Sequence, residues 1–187
     1  AASDVYKRQV DKVCKKYKIQ YFLCAGSALG AVRHKGFIPW DDDIDIGMLR
    51  SDYDRFLEIA DEALGKNFLL MDSNRSPNYY VCHAKVFRNH TALVNRETCH
   101  LQIHHGFYLD IFPFDIIPED KKLQEQMYKE QEEARELFCR CKKVKKYSGK
   151  NPLKKYLANE DYYKMQFRSS KKILNNLNKI LTRYNEN

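Results

Sequence analysis

Apolar residues at the start of the chain follow first a helical and then a strand pattern. Their spacing predicts a first helix from Tyr6 to about Lys18. The short apolar run from Tyr21 to Ala25 is typical of a strand. Ser27 is then expected to cap a second helix from Ala28 to about His34, which Gly36 stops.

Strict alternation of polar and apolar residues from Asp43 to Ile46 predicts a strand with one polar face. A third helix is expected next, capped by Ser51 or Asp52 and carrying its apolar residues on one face. We expect Pro113 to end the last of the later strands. These later strands are predicted at residues 80–88, 92–94 and 107–112.

The pattern changes after Pro118, where two long amphipathic helices are predicted over residues 119–146 and 159–184. The apolar stripe of the second helix is interpreted as packing surface. Its members are Ile173, Leu174, Leu177, Ile180, Leu181 and Tyr184. The predicted fold class is therefore α/β (α+β), a mixed sheet flanked by helices and followed by a helical region.

These patterns divide the chain of 187 residues into a catalytic core at 10–118 and a C-terminal helical region at 119–187. Residue 1 is not Met, so residues 1–9 indicate a fragment or non-native sequence. The helical region is expected to be truncated. Hydrophobic residues make up 43% of the chain, which is enough for a core and excludes a disordered protein.

Targeting signals are not evident in the sequence. There is no apolar run of about 18 residues, which a membrane-spanning helix requires. The N-terminus lacks the basic and then apolar layout of a signal peptide. Six cysteines occur without any C-x-x-C pair, so free thiols are favoured over disulfides or structural zinc. These features predict a cytoplasmic location, and a membrane-peripheral position is compatible with them.

The net charge of +8 is unevenly distributed along the chain. Residues 1–120 carry 15 basic and 17 acidic side chains, for a net charge of -2, whereas residues 121–187 carry 18 and 8, for a net charge of +10. A basic segment usually contacts an anionic partner, such as nucleic acid, a membrane surface or a phosphorylated glycan. A solvated helical surface explains the same lysines equally well.

The densest chemical signal is the acidic segment from Asp41 to Asp45. Residues i and i+2 of a strand share a face, so Asp43 and Asp45 are expected to point the same way. Two carboxylates among apolar neighbours are typical of a Mg²⁺ or Mn²⁺ site. A merely solvated acidic turn is disfavoured, because adjacent carboxylates repel one another unless a cation is present. An EF-hand is excluded, because Ile46 and Asp52 stand where that loop needs Gly and Glu.

Gly26 and Ser27 lie between a predicted strand and a predicted helix. Glycine allows a phosphate to approach the backbone, and the helix N-terminus offers free N–H groups. No P-loop is present, because Lys35 precedes Gly36 instead of following a glycine. Phosphoryl transfer with two metal ions usually needs a third carboxylate. Asp110, in an apolar run, is preferred over Asp115 for this position.

Residues 26–46 closely resemble the signature of the LicD family, and residues 107–115 resemble its second block. The resemblance is strong over about residues 10–118. LicD proteins, like the fukutin group, have the nucleotidyltransferase fold. Membership implies metal-dependent transfer of a phospho-substituent, often phosphocholine from CDP-choline, to a cell-surface glycan such as lipopolysaccharide, teichoic acid or a capsule precursor.

The resemblance and the residue pattern together imply roles for individual side chains. Asp43, Asp45 and Asp110 are expected to bind metal, and Asp110 is also a candidate general base. Gly26 and Ser27 are expected to hold the donor phosphates. Arg33 and Lys35 are expected to neutralise the diphosphate or the leaving CMP, although a solvated helix end explains them equally well. Lys85 is expected to contact phosphate.

One residue departs from the family pattern, and a second has an open role. The family commonly has two glycines before the Ser or Thr, whereas Ala25 precedes Gly26 here. An extra methyl group is expected to be tolerated if the backbone torsions at Ala25 are ordinary. Trp40, the only tryptophan, is expected to pack within the protein instead of stacking on a base or sugar.

Three other functions remain open from the sequence alone. The first is a nucleotidyltransferase that moves NMP from an NTP and releases pyrophosphate. The second is an RNA-binding module that uses the basic segment. Nucleic acid is nevertheless not expected as a partner, because the segment lacks the motifs of known RNA-reading folds. The third is an inactive fragment.

Overall fold

The computed structural model describes residues 2–41, 43–96, 98–142 and 169–185, with side chains from Lys7 onward. These residues form two compact units. Unit 1 comprises Ala1–Arg75, His83–Val94 and His104–Phe114. Unit 2 comprises Ser76–Cys82, Asn95–Ile103 and Asp115–Asn187.

Unit 1 is built on a five-stranded mixed sheet with the strand order β1-β2-β5-β4-β3. Only the central pair β2 and β5 is parallel, and the other neighbours are antiparallel. The parallel pair brings the starts of both strands to the same edge of the sheet. The strands are β1 (Phe22–Leu23), β2 (Asp45–Leu49), β3 (Phe68–Met71), β4 (Ala84–Arg88) and β5 (Tyr108–Phe114).

Three helices accompany this sheet, α1 (Ala2–Tyr17), α2 (Ala25–Arg33) and α3 (Arg50–Ala63). Helices α1 and α3 contact β5 and each other. Their buried residues recur at helical spacing and join the inward residues of four strands in one core. The largest fully buried members of this core are Val10, Ile44, Ile46, Met48, Phe56, Val86, Leu109 and Ile111.

Unit 2 contains two helices among the described residues, α4 (Lys121–Cys141) and α5 (Ser170–Leu181). The Asp120 carboxylate accepts hydrogen bonds from two backbone N–H groups and so caps α4. Ser169 caps α5 in the same way, by accepting from the Lys172 N–H. The two helices pack through Met127, Ala134, Leu177 and Ile180, and through Phe138, Ile173 and Leu174.

The structure confirms the predicted fold class, a mixed sheet flanked by helices. It corrects several elements. The strand β3 was not predicted, residues 92–94 form a loop, and residues 80–83 lie outside β4. Residues 143–146 and 159–168 of the predicted long helices lie outside the described residues. The division into domains at 10–118 and 119–187 stays a prediction.

Pro113 lies within β5 and does not end it. The Asp110 N–H bonds to the Ile44 carbonyl, so even-numbered N–H groups of β5 face β2 and odd-numbered ones face β4. The pairing with β4 stops at Ala84 opposite Ile111. The missing N–H of Pro113 therefore lies beyond Ala84, the first residue of β4, and no sheet hydrogen bond is lost.

Within the described residues, no helix is long and apolar enough to cross a membrane.

Candidate active site

Three charged residues form a row across adjacent strands of unit 1. Asp45 of β2 pairs in register with Asp110 of β5, which pairs in register with Lys85 of β4. Residues in register on neighbouring strands share a face, and this face is opposite to the one that carries Ile46, Ile111 and the core. All three are largely buried, with exposures of 8% for Asp45, 5% for Asp110 and 6% for Lys85.

Asp43 completes a cluster of three carboxylates at this end of the sheet. It lies two residues before β2 begins, on the segment that leads into Asp45. Carboxylate oxygens of Asp43, Asp45 and Asp110 all lie within 4.8 Å of one another. The structure thus brings together the three acidic residues that the sequence analysis selected as metal ligands.

Two basic side chains hold the Asp110 carboxylate. Lys85 Nζ lies 2.9 Å from Asp110 Oδ1 and donates to Oδ2 at 3.2 Å. His83 Nε2 lies 2.9 Å from the same Oδ1 and its ring packs against Phe112. The ammonium group of Lys85 also lies 3.5 Å from the centre of the Tyr108 ring, a cation–π contact. Asp110 is therefore fixed in place by its own strand neighbours.

The N-terminus of α2 fixes the second carboxylate of the row. The Gly26 N–H donates to Asp45 Oδ2 at 3.2 Å, and the Asp45 N–H donates to Ser27 Oγ at 2.9 Å. Helix α2 begins at Ala25, so the prediction that Ser27 caps a helix from Ala28 was wrong. Ser27 lies in the first turn and joins α2 to β2 instead.

Gly26 is required by the close approach of α2 to the acidic segment. A Cβ atom built on Gly26 would lie 2.5 Å from Asp41 Oδ2 and 3.5 Å from Asp45 Oδ2. A side chain here would therefore push into the carboxylates. Asp41 is thus a fourth acidic residue beside the cluster.

The electrostatics of the carboxylates differ according to their partners. Burial raises the pKa of Asp43 to about 6, and the neighbouring carboxylates add to this shift. Burial and the charge of Asp110 also raise the pKa of Asp45, although its two backbone hydrogen bonds oppose the change. Burial would raise the pKa of Asp110 too, but the His83 hydrogen bond and the Lys85 charge outweigh it and lower this pKa.

The donor set fits a hard divalent cation. Three carboxylates offer oxygen ligands only, which Mg²⁺ and Mn²⁺ prefer over softer metals. Lys85 provides one positive charge against these three acids. The remaining negative charge makes Asp43, Asp45 and Asp110 a candidate site for a divalent ion.

The other predicted site residues have different environments. Arg33 and Lys35 are exposed at the end of α2, and their role as phosphate ligands stays a prediction. Lys35 itself takes the left-handed conformation after the helix, with φ of 57°, which had been expected of Gly36. Lys85, by contrast, is engaged with Asp110, and its contact with a phosphate also stays a prediction.

The structure also locates Asp115 and Trp40, the two other residues considered from the sequence. The rival third acid Asp115 belongs to unit 2, where it accepts a hydrogen bond from Asn185 Nδ2 at 2.7 Å. Trp40 was expected to pack, but 78% of it is exposed, so that prediction was wrong.

The sequence analysis missed His83 as a site residue. A signal was available, because His83 and Lys85 are separated by two positions and such residues share a face in extended backbone. What the spacing does not encode is the pairing of β4 with β5, which brings both side chains to Asp110.

Comparisons with known proteins identify the family of this chain. The pattern described as LicD/FKTN/FKRP, nucleotidyltransferase domain, matches residues 18–140, which is more than half of the chain. This chain belongs to the LicD family. The match covers the whole cluster, from Gly26 in α2 to Asp110 in β5.

Individual LicD-family relatives span different parts of the chain. The Haemophilus influenzae protein named lipopolysaccharide cholinephosphotransferase LicD is 31% identical over 149 residues, which cover 79% of this chain and 55% of that protein. The human protein named ribitol 5-phosphate transferase FKRP is 44% identical over 45 residues, or 24% of this chain and 9% of its own. The chain therefore spans about half the length of its Haemophilus relative.

Ala25 departs from the glycine that LicD proteins commonly have at this position. The expectation that its methyl group is tolerated required ordinary torsions, but φ of Ala25 is 43°. An L-residue with a side chain is strained in this left-handed region, whereas glycine is not. The start of α2 in this chain therefore carries backbone strain directly beside Gly26.

Proposed function

We propose that this protein transfers phosphocholine, or a similar phospho-substituent, from a CDP-linked donor to a cell-surface glycan and releases CMP. The observation that carries the proposal is the carboxylate cluster of Asp43, Asp45 and Asp110 in a LicD-family chain. The name of the Haemophilus relative supports lipopolysaccharide as the acceptor class. Teichoic acid and capsule precursors are chemically similar acceptors, and a cytoplasmic location belongs to the same proposal.

A divalent ion, Mg²⁺ or Mn²⁺, would be held by Asp43, Asp45 and Asp110. When bound, it would stabilise negative charge on the attacking and leaving oxygens of an in-line displacement. His83 and Lys85 keep the Asp110 carboxylate oriented toward this position.

Asp110 serves as a ligand in this proposal and not as the general base that was also considered. Its oxygens already accept hydrogen bonds from two basic side chains. A carboxylate stabilised in this way accepts a further proton poorly.

The donor phosphates are proposed to lie beside the start of α2. Gly26 and Ser27 bring this turn of backbone within hydrogen-bond distance of Asp45. Arg33 and Lys35 are exposed at the other end of the same helix and would neutralise the diphosphate or CMP.

Nucleotidyl transfer from an NTP is the second candidate, because the family description names a nucleotidyltransferase domain. The two reactions differ in their products. Transfer of a phospho-substituent from a CDP-linked donor releases CMP, whereas nucleotidyl transfer from an NTP releases pyrophosphate.

Product analysis tests the proposal. The protein would be incubated with Mg²⁺, lipopolysaccharide and either CDP-choline or CTP, and CMP and pyrophosphate would be measured. We expect CMP and labelled lipopolysaccharide from CDP-choline, with the rate lowered on the order of a hundredfold or more in Asp45→Asn. Asp54→Asn, on the exposed side of α3, is the matched control and should retain full activity.

Two results would contradict the proposal. Pyrophosphate from CTP without CMP from CDP-choline would assign the protein to nucleotidyl transfer. Equal activity of Asp45→Asn and the wild type would remove the carboxylate cluster from the reaction.

A further inference from the structure

Three phenylalanines lie next to the carboxylate row on the same face of the sheet. Phe22 of β1 pairs in register with Gly47 of β2, which pairs in register with Phe112 of β5. This second row lies two residues, or about 7 Å, along the strands from the row of carboxylates. Phe114 follows Phe112 on the same face, because side chains alternate along a strand. We call Phe22, Phe112 and Phe114 the aromatic patch.

The aromatic patch is held in place by its neighbours in unit 1. The rings of Phe22 and Phe114 meet edge-on, with centroids 4.8 Å apart, and occupy the space over β2 that a side chain on Gly47 would fill. The Phe112 ring packs against the ring of His83 at 4.2 Å, and His83 bonds to the Asp110 carboxylate. The aromatic patch is therefore continuous with the residues that position the carboxylate cluster.

Solvent reaches the aromatic patch even though its members are large apolar residues. Phe22 and Phe114 are each 40% exposed, and Leu49, which pairs in register with Phe114, is 56% exposed. Contiguous apolar side chains on a surface usually mark an interaction site. Because β1 is an edge strand of the described sheet, the aromatic patch is open at one side. An open side suits a polymeric ligand, of which only a part contacts the protein.

The carboxylate row lies between the aromatic patch and the start of α2. From Phe22 the chain passes to Cys24, whose N–H donates to the Asp45 carbonyl, and then to Gly26, whose N–H donates to the Asp45 carboxylate. The donor phosphates are proposed to lie beside the start of α2. In an in-line displacement the attacking and leaving oxygens lie on opposite sides of the phosphorus. The acceptor hydroxyl is therefore expected on the side of the aromatic patch.

We propose that the aromatic patch binds a sugar ring of the acceptor glycan and so positions its hydroxyl at the carboxylate cluster. The C–H face of a pyranose ring is apolar and packs on the electron-rich face of an aromatic ring, while its hydroxyl groups point outward. This inference rests on the transfer proposed above and adds the acceptor subsite to it. The base of CMP is a poorer fit, because the basic residues assigned to CMP are at the far end of α2.

Steady-state kinetics of ring variants test the acceptor subsite. Phe22→Leu/Phe114→Leu should raise KM for lipopolysaccharide on the order of tenfold, because the ring faces are lost. Its KM for CDP-choline should change by less than about twofold, since the donor lies on the α2 side. Phe114→Leu alone gives the same test with less change to the ring pair. Phe114→Tyr keeps the ring and should keep the wild-type KM, as should Tyr128→Leu, the matched control on an exposed part of α4.

Saturation-transfer NMR with the delipidated oligosaccharide of lipopolysaccharide measures the contact without turnover. We expect transfer to the C–H protons of one sugar ring in the wild type, in Phe114→Tyr and in Tyr128→Leu. The signal should be lost in Phe22→Leu/Phe114→Leu, whose thermal unfolding would be recorded to show that the variant is folded.

Three results would overturn the inference. The first is equal saturation transfer in the wild type and in the folded double variant, which would place the sugar elsewhere. The second is a raised KM for CDP-choline without a raised KM for lipopolysaccharide, which would assign the aromatic patch to the donor. The third is a wild type that releases no CMP from CDP-choline. Only this third result also contradicts the proposed function, because no transfer then remains for the aromatic patch to serve.

Discussion

Asp110 is the residue at which the interactions of the site converge. It pairs in register with Asp45 on one side and with Lys85 on the other, and it also bonds to His83. Burying a carboxylate costs free energy unless charge and hydrogen bonds compensate it. Its two basic partners provide that compensation, so Asp110 stays ionised and available as a ligand.

Replacing Lys85 with Met should remove the ammonium partner of a buried carboxylate and leave Asp110 with the His83 hydrogen bond alone. We expect Lys85→Met to lower the free energy of unfolding by roughly 3–5 kcal/mol in EDTA, as for other broken buried ion pairs. Added Mg²⁺ should restore part of this loss, because a cation on the cluster replaces the missing charge. Chemical denaturation with and without Mg²⁺ measures both effects.

Lys66→Met is the control for this comparison, because Lys66 is an exposed lysine of the same unit. Its unfolding free energy should change by no more than about 0.5 kcal/mol. If Lys85→Met behaves like this control, the Lys85–Asp110 pair does not stabilise the protein.

The acidic residues of the site could be predicted from the sequence, whereas their partners could not. Asp43 and Asp45 are separated by the period of a strand, and Asp110 is a lone acid in an apolar run. These are local signals. The engagement of His83 and Lys85 with Asp110 depends on the register between β4 and β5, which joins residues about 25 positions apart in the chain.

At the scale of elements, the parallel pairing of β2 with β5 assembles the cluster. It sets Asp45 beside Asp110 and directs both away from the core. Helix α2 reaches the same end of β2 through Gly26 and Ser27. The two strands and the helix therefore define the candidate site.

Gly47 allows two aromatic rings to cross the same face of β2. The rings of Phe22 and Phe114 meet edge-on with centroids 4.8 Å apart. A Cβ atom on Gly47 would lie 2.5 Å from Phe22 Cε2 and 2.6 Å from Phe114 Cε2. We expect Gly47→Ala to lower the free energy of unfolding by roughly 1–3 kcal/mol, because both rings must move.

Thermal unfolding of Gly47→Ala and Gly36→Ala provides the comparison. A Cβ atom on Gly36 meets nothing within 4 Å, so this control should unfold like the wild type. Similar melting temperatures for the two variants would mean that the aromatic pair does not constrain β2.

Helix periodicity located the helices more reliably than strand alternation located the strands. The apolar spacing of α1 and α3 predicted both helices to within a few residues. The strand β3 was missed because Phe68–Met71 is uniformly apolar and short, without alternation. Pro113 was predicted to end its strand, because the local sequence does not show that β5 extends past its pairing with β4, which reaches only Ala84 opposite Ile111.

At the scale of the whole chain, the cysteines differ in burial between the two units, because Cys14 and Cys24 of unit 1 are buried and Cys99 of unit 2 is exposed. All six are free thiols. Burial raises the pKa of Cys14 and of Cys82 to about 12, and that of Cys24 to about 11. A thiol with a raised pKa carries little thiolate near pH 8 and is therefore poorly nucleophilic.

Alkylation with iodoacetamide at pH 8, followed by mass spectrometry, should accordingly modify Cys99 first, because it is exposed. Cys14 and Cys24 should react last, since both are buried. All six should react at similar rates in denaturant. Rapid modification of Cys14 in the folded protein would contradict the packing of α1 against the sheet.

Family membership and the structure describe different properties of the molecule, namely its relatives and its fold. The LicD-family match extends from residue 18 to residue 140 and so includes elements of both units. The residue pattern alone predicted the fold class, a mixed sheet flanked by helices. The motifs at residues 26–46 and 107–115 then indicated the LicD family. The reaction itself remains a proposal, because the chain covers 55% of its Haemophilus relative.

The central claim is that Asp43, Asp45 and Asp110 bind a divalent cation together, and a Mn²⁺ titration followed by electron paramagnetic resonance tests it most directly. The wild type and Asp54→Asn should bind Mn²⁺ with equal affinity, and Mg²⁺ should compete for the site. Asp45→Asn should weaken binding roughly 100-fold or more, while its circular dichroism spectrum stays unchanged. Equal Mn²⁺ affinity in all three proteins would contradict the account, since the cluster would then not be the metal site.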